Sequence, residues 1–505
     1  MNLTKEQSKP VNSSCKINVC LACPGSGKTT VLVARAEKLW RDTREPILVV
    51  TFSNDACNNI NKRILPEAKA GITVKTIHSL CYDIVKTYWR ELNEILGGDV
   101  WPAQPRLITK EEELGIIKEL FKEDNATALY DIFTYMRSLG TSPESILNLF
   151  KKKVYFDRVR QQDIQKLIEF ERVRKSRGLI TFDDMVDLAE SLIPLPFVAT
   201  ELSRKYQHLL IDEAQDTSDQ QWKVLRPIVL SCSTSLVVGD YNQSIYGWRS
   251  ADGSILLNMS QMKESVTFRL SKSFRSGSLI AHLANKICYD KSSQIVPQDH
   301  LGSVKVSKFS KVEDEVKWVL KNSDTDTAIV SRTNNYLEKF ERECIEQDKP
   351  YMGKSFYRSE HIADLYKFIT DYSGSDIVPI IKKAYINNAS YSSNQVDDFR
   401  LVLSIIDKEG LDKFLELVED SRKLESPGVT LTTGHSSKGL EWKKVFVIGC
   451  HTGHVPHKYS TDEREEKNLL YVMTSRAAED LIITCVGEPS IYLPAEVRKE
   501  AELVC

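Results

Sequence analysis

The stretch CLACPGSGKTT, residues 20 to 30, limits what this chain can fold into more than any other. It begins apolar, breaks into Gly25 and Gly27, and ends on Lys28, Thr29 and Thr30. An apolar strand run precedes it (Ile17 to Leu21) and a helical pattern follows it (Val31 to Trp40). In that context a loop wraps its backbone N–H groups around phosphates, with an ammonium on the outer oxygens and a hydroxyl on Mg²⁺. Ala22, Cys23, Pro24, Gly25, Ser26 and Gly27 form the arc, Lys28 brings the charge, and Thr29 and Thr30 follow. Ala22 stands where the G-x-x-x-x-G-K-[ST] pattern has its first glycine.

A phosphate loop hydrolyses nothing without an acid for the metal and a group that orients water. HLLIDEAQD offers both after a buried strand: Asp212 for Mg²⁺, together with Thr29, and Glu213 to polarise the attacking water. A second such strand ends in VVGDYNQ and puts an amide, Gln243, where it can sense a γ-phosphate. Tyr246, Trp248 and Arg249 lie three to six residues further on. Aromatic side chains stack on unpaired bases whatever the sequence, at about 1–3 kcal/mol each. A nucleotide contact and a single-strand contact therefore sit on one short segment.

Strand-like runs recur at Ile47–Val50, Leu209–Ile211, Leu236–Val238, Ala328–Val330, Val429–Thr432, Val445–Ile448 and Leu481–Thr484. Alternating with helical patterns, they predict an α/β chain with parallel sheets and ligand sites at the strands' carboxyl ends. The strands are too many for one small sheet, so two α/β domains are expected: 1–85 with 201–265, and 266–350 with 428–505. The intervening 86–200 and 351–427 read as mainly helical insertions. In the first, Thr109 and Glu112 have capping-box spacing, and Leu114, Ile117 and Phe121 form an apolar stripe. Residues 150–178 hold ten Lys or Arg against four Asp or Glu, which suits either a phosphate backbone or a solvated helix face.

Composition excludes more than it assigns. No run of about 18 apolar residues crosses a membrane, and MNLTKEQSKP has no apolar signal core. Eleven scattered cysteines suit a reducing compartment, so a cytoplasmic protein is expected. A net charge of −2 does not announce a nucleic-acid partner, which has to be argued locally. Cys15, Cys20 and Cys23, and likewise His451, His454 and His457, have metal-like spacings. Both sets are read as structural, for want of further ligands nearby.

Taken together, the motifs resemble the UvrD/Rep/PcrA family of superfamily 1 DNA helicases, in the family's order and over most of both α/β regions. LTKEQ resembles its adenine-reading motif, with Gln7 as the amide. VTFSNDACNNINKRI and TIHSL resemble its first DNA-contact motifs, which carry Phe52, Asn54, His78 and Ser79. IDEAQDTS and GDYNQSIYGWRSAD follow, then LSKSFRS, IVSRTNN, TTGHSSKGLEW and EKNLLYVMTSRA in the second motor region. The resemblance implies two RecA-like domains with ATP in the cleft between them and single-stranded DNA across their top, moving 3′-to-5′. It also implies that Arg275 and Arg476 reach the γ-phosphate, that Glu441 binds the ribose, and that Phe274 stacks on adenine.

Phe182, Asp183 and Asp184 in ITFDDM resemble a further family motif, or alternatively form a helix cap. Three departures stand out. Asp55 replaces a usually basic residue, Ser475 a usual threonine, and the second insertion is short, which puts strand separation rather than translocation in question. The chain stops 29 residues after Arg476, with no appended nuclease expected. The expected enzyme is an ATP-dependent helicase or translocase acting on single strands and single/double-strand junctions, in repair, replication or recombination. The rival is a DNA-dependent ATPase subunit that regulates a partner such as a nuclease. A small-molecule P-loop kinase would leave the arginine-bearing second domain and the aromatic motif unexplained.

Overall fold

A computed structural model describes residues 3–504, apart from 98–100, 102–103, 123–125, 127–128, 131, 134–135, 137–160, 248–250, 252, 292, 354–356, 358, 373–376, 383–392, 424–427, 459 and 461. The chain divides into two compact units. The first comprises Met1–Leu21, Lys28–Gly239 and Trp248–Phe268; the second comprises Ala22–Gly27, Asp240–Gly247 and Arg269–Cys505.

The first unit is built on β1 (Ile17–Ala22), β2 (Ile47–Thr51), β3 (Ile72–Thr76), β6 (His208–Ile211), β7 (Thr234–Gly239) and β8 (Ser265–Leu270), after the short β4 (Arg106–Leu107) and β5 (Leu179–Ile180). The sheet order is β3-β2-β6-β7-β1-β8. β2 runs parallel to β3 and β6, and β7 parallel to β6 and β1, with Leu21 opposite Gly239. Every residue of β1, β2 and β6 is buried. That is why these strands are continuous apolar runs rather than alternating ones. Helices cover both faces and close a core that includes Val19, Leu48, Leu209, Ile228 and Val237.

The helical part between β3 and β6 serves two cores. The helix Phe182–Leu192 brings Met185, Val186 and Ala189 to the first sheet's core. Ile108, Ile117, Phe133, Ile164, Phe170 and Leu179 instead belong to a cluster of their own. The capping box at Thr109 forms, with Glu112 accepting from Thr109 N. β4 and β5 pair in parallel within this region, where no strand was expected; at two residues each they are too short to leave a periodic signal.

The second unit carries β9 (Ser303–Phe309), β10 (Thr327–Ser331), β11 (Tyr351–Gly353), β12 (Val429–Thr433), β13 (Trp442–Val447), β14 (Ala477–Val486) and β15 (Glu502–Leu503), in the order β11-β12-β10-β13-β14-β9-β15. All its pairings are parallel. Ala328, Val330, Val445 and Ile483 face one core, and Ile329, Phe446 and Ile482 the other. The chain is thus an α/β protein with two doubly covered parallel sheets. Between β11 and β12, helices Glu360–Asp371, Ser393–Glu409 and Leu411–Lys423 gather Ile362, Phe399 and Phe414 into a cluster of their own. No helix among the described residues is long and apolar enough to cross a membrane.

Candidate nucleotide and nucleic-acid site

In the first unit the chemistry collects at strand ends. Lys28 opens the helix Lys28–Thr43 directly after the glycine loop, with Thr29 and Thr30 in its first turn. Ala22 is still strand and fully buried, so a Cβ costs nothing there and the missing glycine is tolerated. Gly25 and Gly27 have φ of 70° and 82°, a region open to glycine at little cost.

Asp212 follows β6, buried, and accepts from Glu213 N at 3.1 Å. Burial, reinforced by the neighbouring Glu213, pushes its carboxyl up to about 7, with Lys28 pulling the other way. Negative charge gathers at this corner, which suits a divalent cation at Asp212. Glu213 sits at φ 49°, left-handed without being glycine, a strain of order 1–3 kcal/mol of the kind that gathers at functional sites. Its Oε2 accepts from Gln215 Nε2 at 2.6 Å. Gln215 is itself fixed by the bare backbone of Gly239, where a Cβ would lie 2.5 Å from its Oε1.

In the second unit the arc Ala22–Gly27 meets the two arginines' neighbourhood. Cys23 N donates to Leu270 O at 3.0 Å, and Phe274 N donates to Gly25 O at 2.8 Å. A Cβ on Gly25 would lie 2.7 Å from Arg275 Cβ, so only glycine permits this approach. Arg275 donates from Nε to Glu441 at 2.6 Å and from Nη1 to Ser475 O at 3.0 Å. Arg476 is 1% exposed. It donates to Val472 O (2.9 Å), Leu440 O (3.2 Å), Ser475 Oγ (2.9 Å) and Gln243 Oε1 (3.4 Å). Gln243 in turn donates to Asp240 at 2.6 Å. Arg275, Arg476, Gln243 and the phosphate-loop arc therefore share one hydrogen-bonded frame. Glu441, matched to a ribose contact, is paired with Arg275 here. The ring of Phe274 is 44% exposed. Gln7 closes a capping box with Thr4, its Oε1 accepting from Thr4 N at 3.1 Å.

The residues matched to DNA contacts lie as follows. Phe52 is half-buried after β2, and exposed Asn54 begins the helix Asn54–Arg63, capped by Ser53. Asp55 falls in that helix's first turn, where a negative charge suits the dipole; this accounts for an acid in place of a base. His78 meets the exposed Phe182 edge-on at 6.3 Å, while Ser79 is exposed. Thr181 caps the helix Phe182–Leu192 with Asp184, so Asp184 serves the cap; it also takes Arg174. Tyr246 is half-buried, donates to His435 O at 3.3 Å, and has the Lys438 ammonium 5.2 Å from its ring centre. Trp248 and Arg249 lie outside the described residues.

Part of the basic stretch, 150–160, is also outside them. In the remainder, Arg172, Arg174 and Arg177 pair with Glu169, with Glu171 and Asp184, and with Glu119. His454 engages Gly449 O and Thr333 Oγ1 through its two ring nitrogens. Among the described residues, no group of three His, Cys, Asp or Glu could hold a metal.

Several positioning residues escaped the sequence reading. Gln215 orients Glu213. Lys438 Nζ donates to Gln243 O at 2.5 Å, and Asn468 Nδ2 donates to Tyr241 O (3.2 Å) and Ser244 O (3.0 Å). Their signal was nearby, in the Q of DEAQD and in KNLLYV, but polar residues inside a helix carry no mark of which loop they will grip.

The model of the UvrD/REP helicase N-terminal domain matches residues 3–264, and that of the UvrD-like helicase C-terminal domain residues 376–488. The chain is similar to the ATP-dependent DNA helicase PcrA of Bacillus subtilis (strain 168), 24% identical over 645 positions covering 99% of this chain and 85% of the relative. It is also similar to the protein of that name from Staphylococcus aureus (strain NCTC 8325 / PS 47), 23% identical over 640 positions covering 99% and 86%. Those alignments are longer than the chain's 505 residues, so the relatives carry segments that it lacks. The chain belongs to the UvrD/REP helicase family and is an enzyme of the helicase class.

Proposed function

We propose that the chain is an ATP-dependent motor that moves 3′-to-5′ along single-stranded DNA and opens duplex at junctions, in repair, replication or recombination. The observation that carries this reading is the frame joining the phosphate-loop arc to Phe274 and Gln243 to Arg476. Lys28 holds the outer phosphates, and Glu213, steered by Gln215, polarises the attacking water. Bound at Asp212 and Thr29, Mg²⁺ supplies charge neutralisation to the phosphate oxygens.

Charge that develops on the transferred phosphoryl group needs cations positioned in advance. Arg275 and Arg476 are those cations. Arg476 already touches the sensor amide, so a γ-phosphate that draws its guanidinium must disturb Gln243. Three residues beyond lies Tyr246, packed under Lys438, whose ammonium also binds the Gln243 carbonyl. A change at the phosphate is thus passed to the aromatic segment through two hydrogen bonds and a short stretch of chain. The names of the PcrA relatives, ATP-dependent DNA helicases, support the choice of ATP and DNA.

ATP turnover with and without single-stranded DNA tests the reading. We expect strong stimulation by DNA, and in Trp248→Ala a fall of about tenfold in DNA affinity with nucleotide affinity kept. Equal turnover with and without DNA would overturn the motor. Partial duplexes with a 3′ or a 5′ tail test polarity; opening only of the 5′-tailed duplex would reverse it.

A further inference from the structure

A cavity of about 620 Å³ in the second unit belongs to none of the sites above. It is bounded by the end of the helix Ser278–Ile287, the following turn to Lys291, the start of the helix Glu463–Thr474, and residues 491–498. Its size is that of a small-ligand pocket. Four of its lining residues are cationic (Lys286, Lys291, Lys467 and Arg498) against one carboxylate, Glu463.

Lys291 is committed to the backbone, donating to Asn285 O at 2.9 Å and Lys286 O at 3.0 Å, whereas the other three cations are loosely held. Lys467 pairs with Glu463 and Lys286 with Glu496, both on the surface, where such pairs contribute little and exchange readily. Arg498 is exposed and forms no ion pair among the described residues. Between the charges lie aromatic and apolar surfaces. Tyr289 is 49% exposed and Ile491 56%. The Lys467 ammonium lies 5.9 Å from the Tyr289 ring centre and 5.4 Å from that of Tyr492. A concave surface that offers a half-exposed aromatic face beside one unpaired cation, Arg498, and two in exchangeable surface pairs suits a base and its phosphate.

The walls of the cavity are also the grips on the sensor turn. Asp290, between Tyr289 and Lys291, exchanges two hydrogen bonds with Asn242: Asn242 Nδ2 donates to Asp290 O at 2.9 Å, and Asp290 N to Asn242 Oδ1 at 2.8 Å. On the other wall, Asn468 follows Lys467 and holds Tyr241 and Ser244. Gln243 lies between those holds.

We propose that this cavity is a second nucleotide-unit site, with the base on Tyr289 and Ile491 and the phosphate on Arg498 and Lys286, and that its occupancy is relayed to Gln243. The inference rests on DNA being the motor's track. The unit can belong to a strand or be a free nucleotide.

The test uses the full chain without ATP and a single-stranded oligonucleotide carrying 5-iododeoxyuridine, with photo-crosslinks mapped by peptide. Crosslinks at Tyr289 or Tyr492 that drop at least fivefold in Arg498→Glu support the site; Arg498 is exposed, and an unchanged unfolding midpoint confirms the variant is folded. Competition by thymidine monophosphate at equal nucleotide concentration assigns the site to free nucleotides, and competition by the unlabelled strand alone assigns it to DNA. Crosslinks confined to other peptides, with DNA-stimulated turnover intact, overturn this inference alone. Displacement by polyglutamate as effective as by the strand overturns it too, in favour of an acidic protein segment. Absence of crosslinks anywhere, with no stimulation, counts against the DNA reading itself. For the relay, Tyr289→Ala lowers kcat at saturating DNA about threefold with the KM for ATP unchanged; an unaltered kcat removes the relay.

Discussion

Asp212 in the first unit and Glu315 in the second are both buried carboxyl groups whose pKa burial raises, yet their surroundings differ in kind. Glu315 is ringed by donors: the hydroxyls of Tyr336 and Thr484 and the backbone N–H of Gly449. Asp212 has beside it a second carboxylate, Glu213, held in a strained backbone conformation. The first arrangement is finished within the protein and fastens the helix Val312–Lys321 to β14 and the end of β13. The second sets two acids side by side, and it is the corner to which the proposed function assigns the metal and the attacking water. A raised pKa therefore marks burial, and the inventory of donors separates a strut from a site.

The largest expected effect breaks this contrast if it fails. Glu213→Gln keeps shape and hydrogen bonding but removes the base, so kcat for ATP should fall about 10²–10⁴-fold with nucleotide binding retained. Turnover within a few-fold of the parent would mean that Glu213 is another strut. The reverse behaviour is expected at Glu315. Glu315→Ala orphans three donors, at about 1–3 kcal/mol for each buried group left unsatisfied, and should cost roughly 4 kcal/mol in denaturant unfolding. Glu315→Gln, which can still accept, should cost much less and leave ATP turnover per folded molecule unchanged. A Glu315→Gln protein as unstable as Glu315→Ala would mean that charge, not donor satisfaction, holds this corner.

The same contrast explains what the sequence could and could not convey. Strands such as Ile47–Thr51 and Thr327–Ser331 are legible because burial on both faces demands an uninterrupted β-branched run. β8, SVTFRL, and β9, SVKVSKF, are not, because they are partly exposed and interleave charge with apolar residues. The phosphate loop and the acids after β6 are local in sequence and so could be read directly. The clasp of Glu441 on Arg275 joins residues 166 apart. The grips of Lys438 and Asn468 on the Gln243 turn span 195 and 224 or more. No spacing rule encodes contacts that exist only after two distant segments have docked. The role of Asp184 shows the limit from the other side: ITFDDM was consistent with both a family motif and a cap, and only the Thr181 hydrogen bonds distinguish what its carboxylate does.

The smallest effect concerns protons and again separates the two regions. His454 is stacked on Tyr336 at 4.6 Å between ring centres. Its Nδ1 lies 2.7 Å from Gly449 O, so that nitrogen carries the proton and Nε2 accepts from Thr333. The network thus assigns a neutral ring, and burial pulls the pKa down to about 4. An unfolded histidine titrates near 6.5. The folded form takes up its proton later, so this contribution is whole above about pH 6.5 and is lost as the pH falls through about 4. It amounts to no more than roughly 3 kcal/mol. In the first unit, Asp184 is held below the usual carboxylate range by Arg174 despite its burial, and its contribution is lost only in stronger acid. Denaturant unfolding of the full chain between pH 7 and 4.5 should therefore show an acid-sensitive step that His454→Gln flattens and Asp184→Asn does not. Equal acid sensitivity in His454→Gln and the parent would show that the Gly449–Thr333 clasp does not exclude the charged ring, and would place the proton-sensitive burial elsewhere.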